Sequence, residues 1–404
     1  MRSLTLVSGR PRGPERPAGH RPNSPTRRPS GDTVDFELDP DQELLRESVA
    51  RFLADRAPIA YVRSMLDHPV GTTPEVWAGL AAIGVTGMLV PEAHGGAGMG
   101  MVDLAGALEE TGRAVHPGPF LSHAVGAASL VTLAGSPEDH AALLPGIAAG
   151  TTVGTVALYE PGRRGAWAQP DTTADPDGDR WLVRGTKTHV PDAVGADVVL
   201  VTAAAPDGAL AVVAVPTDAP GCTVTPLDTV DGTRKVATVT LDGALGSRLG
   251  HGDATDAVAA TVDRIGVAMV VDGVGAASVA MELAVAYAKE RHQFGKPIGA
   301  FQAVAHLCAD MLRAVELGRA AAYYACWACD AADAAERHRA ATMARAFAAD
   351  SLYGVGANAI QVFGGIGFTW EHDAHLYYKR LLTLQHAGGG ATDQLEELAA
   401  IVLD

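Results

Sequence analysis

The sequence predicts an α+β protein in three successive parts, helical, β and helical, and three observations carry that prediction. Apolar residues recur at helical spacing from Phe36 to about residue 150. Short β-type runs separated by Gly, Pro and Asp turns fill residues 151 to 250. An Ala- and Val-rich helical text resumes near Ala254 and runs to the end. At 404 residues, 48% of them hydrophobic, the chain is long enough for two or three domains with large cores. The expected divisions are a disordered tail at 1–34, an N-terminal helical domain at 35–150, a middle β-domain at 151–250 and a C-terminal helical domain at 251–404.

The first 31 residues carry seven Arg with Glu15 as their one acid, so the remainder is more acidic than the net charge of -16 suggests. So acidic a body argues against a nucleic-acid partner, while a local basic pocket can still hold an anionic ligand. The Arg-, Pro- and Gly-rich start lacks the apolar segment of a secretory signal, and no apolar run long enough to span a membrane is expected. Cys222, Cys308, Cys326 and Cys329 are too few for a disulfide framework, which points to reduced thiols and a cytoplasmic location.

In the first helical part, FELDPDQELLRESVARFLADRAP places Leu44, Leu45, Val49, Phe52 and Leu53 on one helical face, with Asp39 before Pro40 as its start. A second helix is expected around Val76 to Ile83. Gly95, Gly96 and Gly98 then make a loop rather than a phosphate cradle, because no Lys or Ser follows in the necessary register. The β runs are TTVGTVALYE, DRWLVRGTKTHV, ADVVLVTAAA, ALAVVAVP, CTVTPLDTV and KVATVTLDG. Beyond them a long helix ends near Gly295 and Pro297, and further helices are expected over roughly 301–331, 334–362 and 371–385. Gly273, Gly275, Ala276 and Ala277 allow close helix packing, suited to a four-helix bundle and an oligomer interface.

Two stretches of the C-terminal part are unlike their alanine-rich surroundings. YAKERHQFGKPIGAFQ, from Tyr287 to Gln302, sets Arg291 in the last turn of a helix beside a glycine-proline loop. QVFGGIGFTWEHD, from Gln361 to Asp373, sets Gly364, Gly365 and Gly367 just after a helix. Glycines so placed let backbone N–H groups approach a bulky anion closely, and an Arg supplies the counter-charge. A pyrophosphate is the natural guest of such a pair, whereas helix capping alone does not account for both stretches.

At these residues the chain resembles the acyl-CoA dehydrogenase family, and the resemblance extends over roughly residues 36 to 396. It implies an N-terminal helical domain, a middle β-barrel domain and a C-terminal four-helix bundle. It also implies FAD as cofactor, with Arg291, Gln293, Phe294 and Gln302 contacting it and Gln361, Val362, Phe363, Gly364 and Gly365 holding its pyrophosphate or adenosine half. In that family these stretches often serve the FAD of a neighbouring subunit, so a dimer or a homo- or heterotetramer follows. VPEAHGGAGMG is similar to the VPEEYGGLG segment that borders the acyl channel, and ALYEPG to the strand end CVTEPG, which would set Leu158 and Tyr159 against the isoalloxazine. The flavin strand KxWIT reads KTHVP here, with His189 at the aromatic position and Pro191 at the hydroxyl position, so one hydrogen bond to the flavin is absent.

The family reaction is an α,β-desaturation of an acyl-CoA or other acyl thioester in fatty acid metabolism, with electrons passing to an acceptor such as an electron-transfer flavoprotein. It needs a carboxylate base against the α-carbon. Where most members place that Glu, counting from Arg380 gives Gly389. Where isovaleryl-CoA and long-chain members place theirs, on the preceding long helix, the alignment gives Ile265. Asp272, seven residues beyond Ile265 and about 10 Å further along, is the first candidate base, ahead of Asp263 and Asp393. Cys326 and Cys329 form a CxxC inside a helix, a core pair rather than a redox or zinc motif. Glu371, His372 and His375 have ligand-type spacing but fit capping and pairing at a helix start, so no metal is expected. Three readings stay open: an FAD-dependent acyl-CoA dehydrogenase, a non-catalytic subunit of a heteromeric one, and a flavin-dependent oxygenase or oxidase on the same fold.

Overall fold

The computed structural model describes residues 38–163 and 165–403, and the expected disordered tail lies outside them. Asp39 caps the first helix, α1 (Pro40–Arg56): its carboxylate accepts the N–H groups of Asp41 and Gln42, and the Gln42 side chain returns to the Asp39 N–H at 2.9 Å. Such a reciprocal cap is worth about 1 kcal/mol. Val49 and Leu53 are buried, while Leu44 is 57% exposed, so the apolar face is narrower than the periodicity suggests. α2 (Ile59–Met65) and α3 (Pro74–Ile83) follow, the latter capped by Thr73 and stopped by Gly84 in the left-handed region at φ 92°. After α4 (Met101–Arg113), a π-helical stretch Ser122–Ala127 merges into α5 (Ala128–Ala134), and α6 (Pro137–Ala148) leads to the sheet.

The middle part has seven strands: β1 (Gly154–Ala157), β2 (Thr173–Asp177), β3 (Arg180–Pro191), β4 (Val198–Ala204), β5 (Leu210–Pro216), β6 (Cys222–Leu227) and β7 (Val236–Arg248). β4, β2, β3, β7 and β5 pair in that order, and β5 returns to β4, closing a small barrel. β1 runs parallel to β4, and β6 is antiparallel to β7. Closure leaves few free edges, and Val183, Val199, Val201, Val213, Val215 and Val239 fill the inside. The strand not expected was β2: TADPD, with its Asp and Pro, reads as turn, yet it makes a hairpin with β3 from Thr173↔Arg184 to Asp177↔Arg180.

Helix α7 (Thr255–Glu290) is the axis of the C-terminal part, with α8 (Gln302–Ala331) and α9 (Ala334–Phe363) beside it. α10 (Ala374–His386) and α11 (Ala391–Leu403) complete the layer. α7 is apolar and long enough to cross a membrane, but 72% of its most apolar window is buried inside the protein. Two of the small residues expected to allow close helix packing do so within the chain, Gly275 against α4 and Gly273 against Leu384 of α10. A Cβ on Gly275 would lie 2.0 Å from the Glu109 carbonyl oxygen, and one on Gly112 would lie 1.8 Å from that of Asp272. Cys326 and Cys329 are buried in α8, and burial pushes the Cys329 thiol up to about 12, which suits packing rather than redox work.

Candidate functional site

The ends of α7 and α9 meet. Tyr287 in the last turn of α7 sets its ring 5.1 Å from that of Phe363, the last residue of α9. Arg291 leaves the helix with its N–H still bonded to the Tyr287 carbonyl, and a tight hairpin follows, in which His292 pairs with Pro297 and Gln293 with Lys296. Phe294 and Gly295 both turn through positive φ, at 51° and 80°. Gly364 departs from α9 at φ 64°, and a Cβ on Gly364 or Gly365 would meet nothing within 4 Å. Arg291 and the two open glycine units therefore stand at one end of the bundle.

Gln293, Gln302 and Gln361 are exposed there too, with Phe294 92% exposed and Phe368 81%. Val362 and Phe363 differ from the expectation: their side chains are buried in the bundle, so only their backbone is available to a ligand.

A cleft of roughly 920 Å³ lies between the barrel and α7. Val156, Leu158, Tyr159, Thr188, His189 and Pro191 line its barrel wall. Val262, Ile265, Gly266 and Met269 line the α7 wall, and Leu382 to Leu384 with Gly388 and Gly389 line the α10 side. Gly389 and Ile265, the two positions at which the resemblance implies a base, thus open into the same space and carry no acid. His189 sits at φ 51° with its imidazole exposed, its Nδ1 3.2 Å from the Thr188 hydroxyl. Tyr159 has its phenol pushed up by burial, against the lowering effect of Arg345. None of the anchor-end residues lines this cleft.

The buried carboxylates lining the cleft are already engaged, while Asp228 sits on its exposed rim. Burial opposes ionisation of Glu160, yet the hydrogen bonds from Thr172, Lys187 and Asp171 bring its pKa down to about 2. The Lys187 ammonium is 2.9 Å away and fully buried. Asp192, which sequence reasoning passed over, lines the cleft beside Pro191; Ser122 donates to it at 2.6 Å, and burial raises its pKa. It takes a left-handed backbone at φ 51°, an uncommon state for a residue with a Cβ. The Gln394 side chain donates to the Ala387 carbonyl at 2.8 Å, and its Oε1 is buried with no hydrogen-bond partner.

Asp272, the first candidate base, does not open into the cleft. It is 2% exposed, its two oxygens accept from the Arg380 guanidinium at 2.9 and 3.0 Å, and it pairs with Arg234 at 2.9 Å. Burial disfavours its charge, but the two guanidiniums hold its carboxyl below the usual range. An anion so held is a poor proton acceptor; it pairs instead with Arg234, which does line the cleft. Arg380 also binds Asp231, Thr233 and the His116 carbonyl, and burial with these cations lowers His116 to about 3, keeping it neutral.

Asp263 is likewise taken, by Arg337 and His338 at 2.9 Å each. Asp393 lies beside Gly389, where an added Cβ would be 3.0 Å from its Oδ2. No cluster of three metal-ligating side chains exists among the described residues, and His372 packs on Phe363 at 4.3 Å between centroids.

Two observations fit a flavin dinucleotide. The open backbone at Gly364 and Gly365, at the same end of the bundle as Arg291, suits a diphosphate, and the unpartnered Gln394 Oε1 in the cleft suits a donor on a ring edge.

Comparison with known proteins agrees with the three-part fold. Models of the N-terminal, middle and C-terminal domains of acyl-CoA dehydrogenase match residues 39–151, 155–243 and 252–403. The acyl-CoA dehydrogenase IpdE2 of Mycolicibacterium smegmatis is 31% identical over 90% of this chain and 99% of its own length. The structure of a variant of the Tcur3481-Tcur3483 steroid ACAD is 33% identical, covering 90% of this chain and 98% of that one, with a TM-score of 0.83. The ChsE4-ChsE5 complex from Mycobacterium tuberculosis is 26% identical over 92% and 99%, with the same TM-score of 0.83. The chain belongs to the acyl-CoA dehydrogenase family.

Proposed function

We propose that the chain takes part in FAD-dependent α,β-desaturation of an acyl-CoA, with an electron-transfer flavoprotein as acceptor. The observation that carries this is the 920 Å³ cleft, whose apolar α7 wall of Val262, Ile265 and Met269 faces a barrel wall at Leu158, Tyr159 and His189. A flat ring against the barrel and an acyl chain against α7 would fill it, the arrangement a transfer between the two requires. FAD, when bound, supplies the acceptor for the hydride leaving the β-carbon. The backbone at Leu158 and Tyr159 and the side chain of His189 would orient the ring, and the apolar wall would exclude water. Arg291, Gln293, Phe294 and Gln302, with Gln361 to Gly365, would hold the diphosphate and adenosine half for a neighbouring subunit. The four unpaired thiols suit a reducing, cytoplasmic setting.

A second reading has its own support. Gly389 and Ile265 both face the cleft, and neither can take a proton from the α-carbon. The chain would then complete the FAD site of an acid-bearing homologue in a heteromer. The two similar structures are named as pairs, Tcur3481-Tcur3483 and ChsE4-ChsE5.

Purification separates the two. A yellow protein whose flavin bleaches with acyl-CoA supports the dehydrogenase. A colourless protein that takes up FAD only when mixed with an acid-bearing homologue supports the heteromeric subunit. A colourless protein that takes up no flavin in either setting overturns both.

A further inference from the structure

The cleft has a direction. Its α7 wall runs from Val262 through Ile265 and Gly266 to Met269. At Gly266 an added Cβ would lie 2.6 Å from the Arg345 side chain, and at Gly388 3.4 Å from the Arg345 Nη2, so Gly266, Arg345 and Gly388 mark one end. Asp272, one turn beyond Met269 and about 10 Å along the axis from Ile265, holds Arg234 at 2.9 Å and marks the other. Leu121, Met269 and Val236 line the same space. An acyl group that starts between Gly389 and Ile265 and follows α7 meets a guanidinium after several carbons.

Arg234 is held but not exhausted. Its side chain is 18% exposed and lines the cleft, and one amino group is fixed by Asp272 Oδ1, which takes up only part of the five-donor guanidinium. Asp272 cannot neutralise it alone, because Arg380 claims both Asp272 oxygens and Asp231 as well. Lys235 adds a further cation to the wall, its ammonium donating to the Leu66 carbonyl. The remaining acids there are Asp192, buried and hydrogen-bonded to Ser122, and Asp228, on the exposed rim.

We propose that Arg234 is a specificity-determining residue, and that the acyl group this cleft accepts carries a carboxylate at its far end, bound by the Arg234 guanidinium. This rests on the acyl-thioester reading above and narrows its substrate class. A guanidinium fork suits a carboxylate because two parallel N–H groups meet two oxygens. The position of the fork is fixed from behind by a buried aspartate, so little order is lost on binding. A methyl-ended chain would dehydrate Arg234 at the same place and leave it no partner beyond Asp272 and the nearby Asp192, which disfavours it.

The test measures dissociation constants of the FAD-reconstituted protein for adipyl-CoA and suberyl-CoA against hexanoyl-CoA and octanoyl-CoA, by calorimetry. The wild type is expected to bind the carboxylate-ended thioesters about 10- to 100-fold tighter. Arg234→Gln is expected to lose that preference, and Arg234→Lys, which keeps the charge beside Asp272, to retain part of it. Circular dichroism and flavin content accompany each variant. If Arg234→Gln does not fold, the wild type and Arg234→Lys decide the matter by the same preference.

Equal or tighter binding of the methyl-ended thioesters by the wild type overturns the inference while leaving the acyl-thioester reading intact. So does a folded Arg234→Gln that keeps the preference, or one that keeps it while losing flavin, which would give Arg234 to the cofactor. Failure of all four thioesters to bind overturns the acyl-thioester reading, and this inference with it.

Discussion

At the meeting of α7 and α9, Arg291, Gln293, Phe294 and Gln302 face outward beside open backbone at Gly364 and Gly365. Beneath the barrel the ionisable groups are bound to one another: Glu160 to Lys187, Asp272 to Arg234 and Arg380, Asp263 to Arg337 and His338. The outer end thus keeps its polar groups exposed, while the buried carboxylates of the interior are occupied with neighbouring cations or, at Asp192, with the Ser122 hydroxyl. Binding and proton transfer are separable demands, and under the proposed function this chain would meet the first with its own residues far more fully than the second.

The largest effect that would break this contrast is expected from Ile265→Glu. Position 265 is on an unstrained helix wall and faces the cleft, so a carboxylate there adds the missing base without disturbing the backbone. Stopped-flow measurement of flavin bleaching by acyl-CoA should show a rise of about 10²- to 10⁴-fold. No rise would mean that a base already acts in the cleft, or that a neighbouring chain brings one. Gly389→Glu is not its equivalent, because Gly389 adopts φ 127°, where a side chain is strained.

A smaller effect tests the outer end. Arg291→Ala should weaken FAD binding about 10- to 100-fold, the cost of one charge-assisted contact, with little change in thermal stability because Arg291 is exposed. Flavin retained after dialysis measures it, and unchanged retention would remove Arg291 from the anchor.

The smallest concerns the link between α9 and α11, the helix that carries Gln394 into the cleft. Hydrogen bonds to Asp263 and then Glu397, against the effect of burial, raise His338 from 6.5 to about 9. A raised value means the charged imidazole is favoured by the fold, so its contribution is full below about pH 6.5 and is lost as pH rises through about 9. Thermal melts between pH 6 and 10 should show a decline in the wild type that is flatter in His338→Gln. Identical curves would mean that this bridge, 42% exposed at His338, contributes nothing measurable.

Much of this organisation was legible in the residues because it rests on local rules. Asp39 before Pro40, the glycine-proline stop after Arg291 and the apolar strand runs each specify their element within a few residues. β2 was not legible, since TADPD is recruited by its hairpin with β3 rather than by its own propensity. The cleft carboxylates were harder still. Spacing along α7 places Asp272 two turns from Ile265, but only the fold brings Arg380, 108 residues away, onto it. A sequence shows that an acid is present, not which cation has already claimed it. Asp192 and Arg234 carried a weak signal, lying next to Pro191 and within DGTRK, which no periodicity marks as cleft.

The two glycine contacts between α4 and α7 leave no room for a methyl group, with virtual Cβ positions 1.8 and 2.0 Å from facing carbonyl oxygens. Backbones in such contact cannot slide or rotate past each other without collision. α7 is therefore clamped to the N-terminal helices at the level of Asp272, and its wall of the cleft works as a fixed jaw. The opposite jaw is built otherwise, at Gly388 to Gly390 and the His189 corner, where positive φ angles replace packed helix.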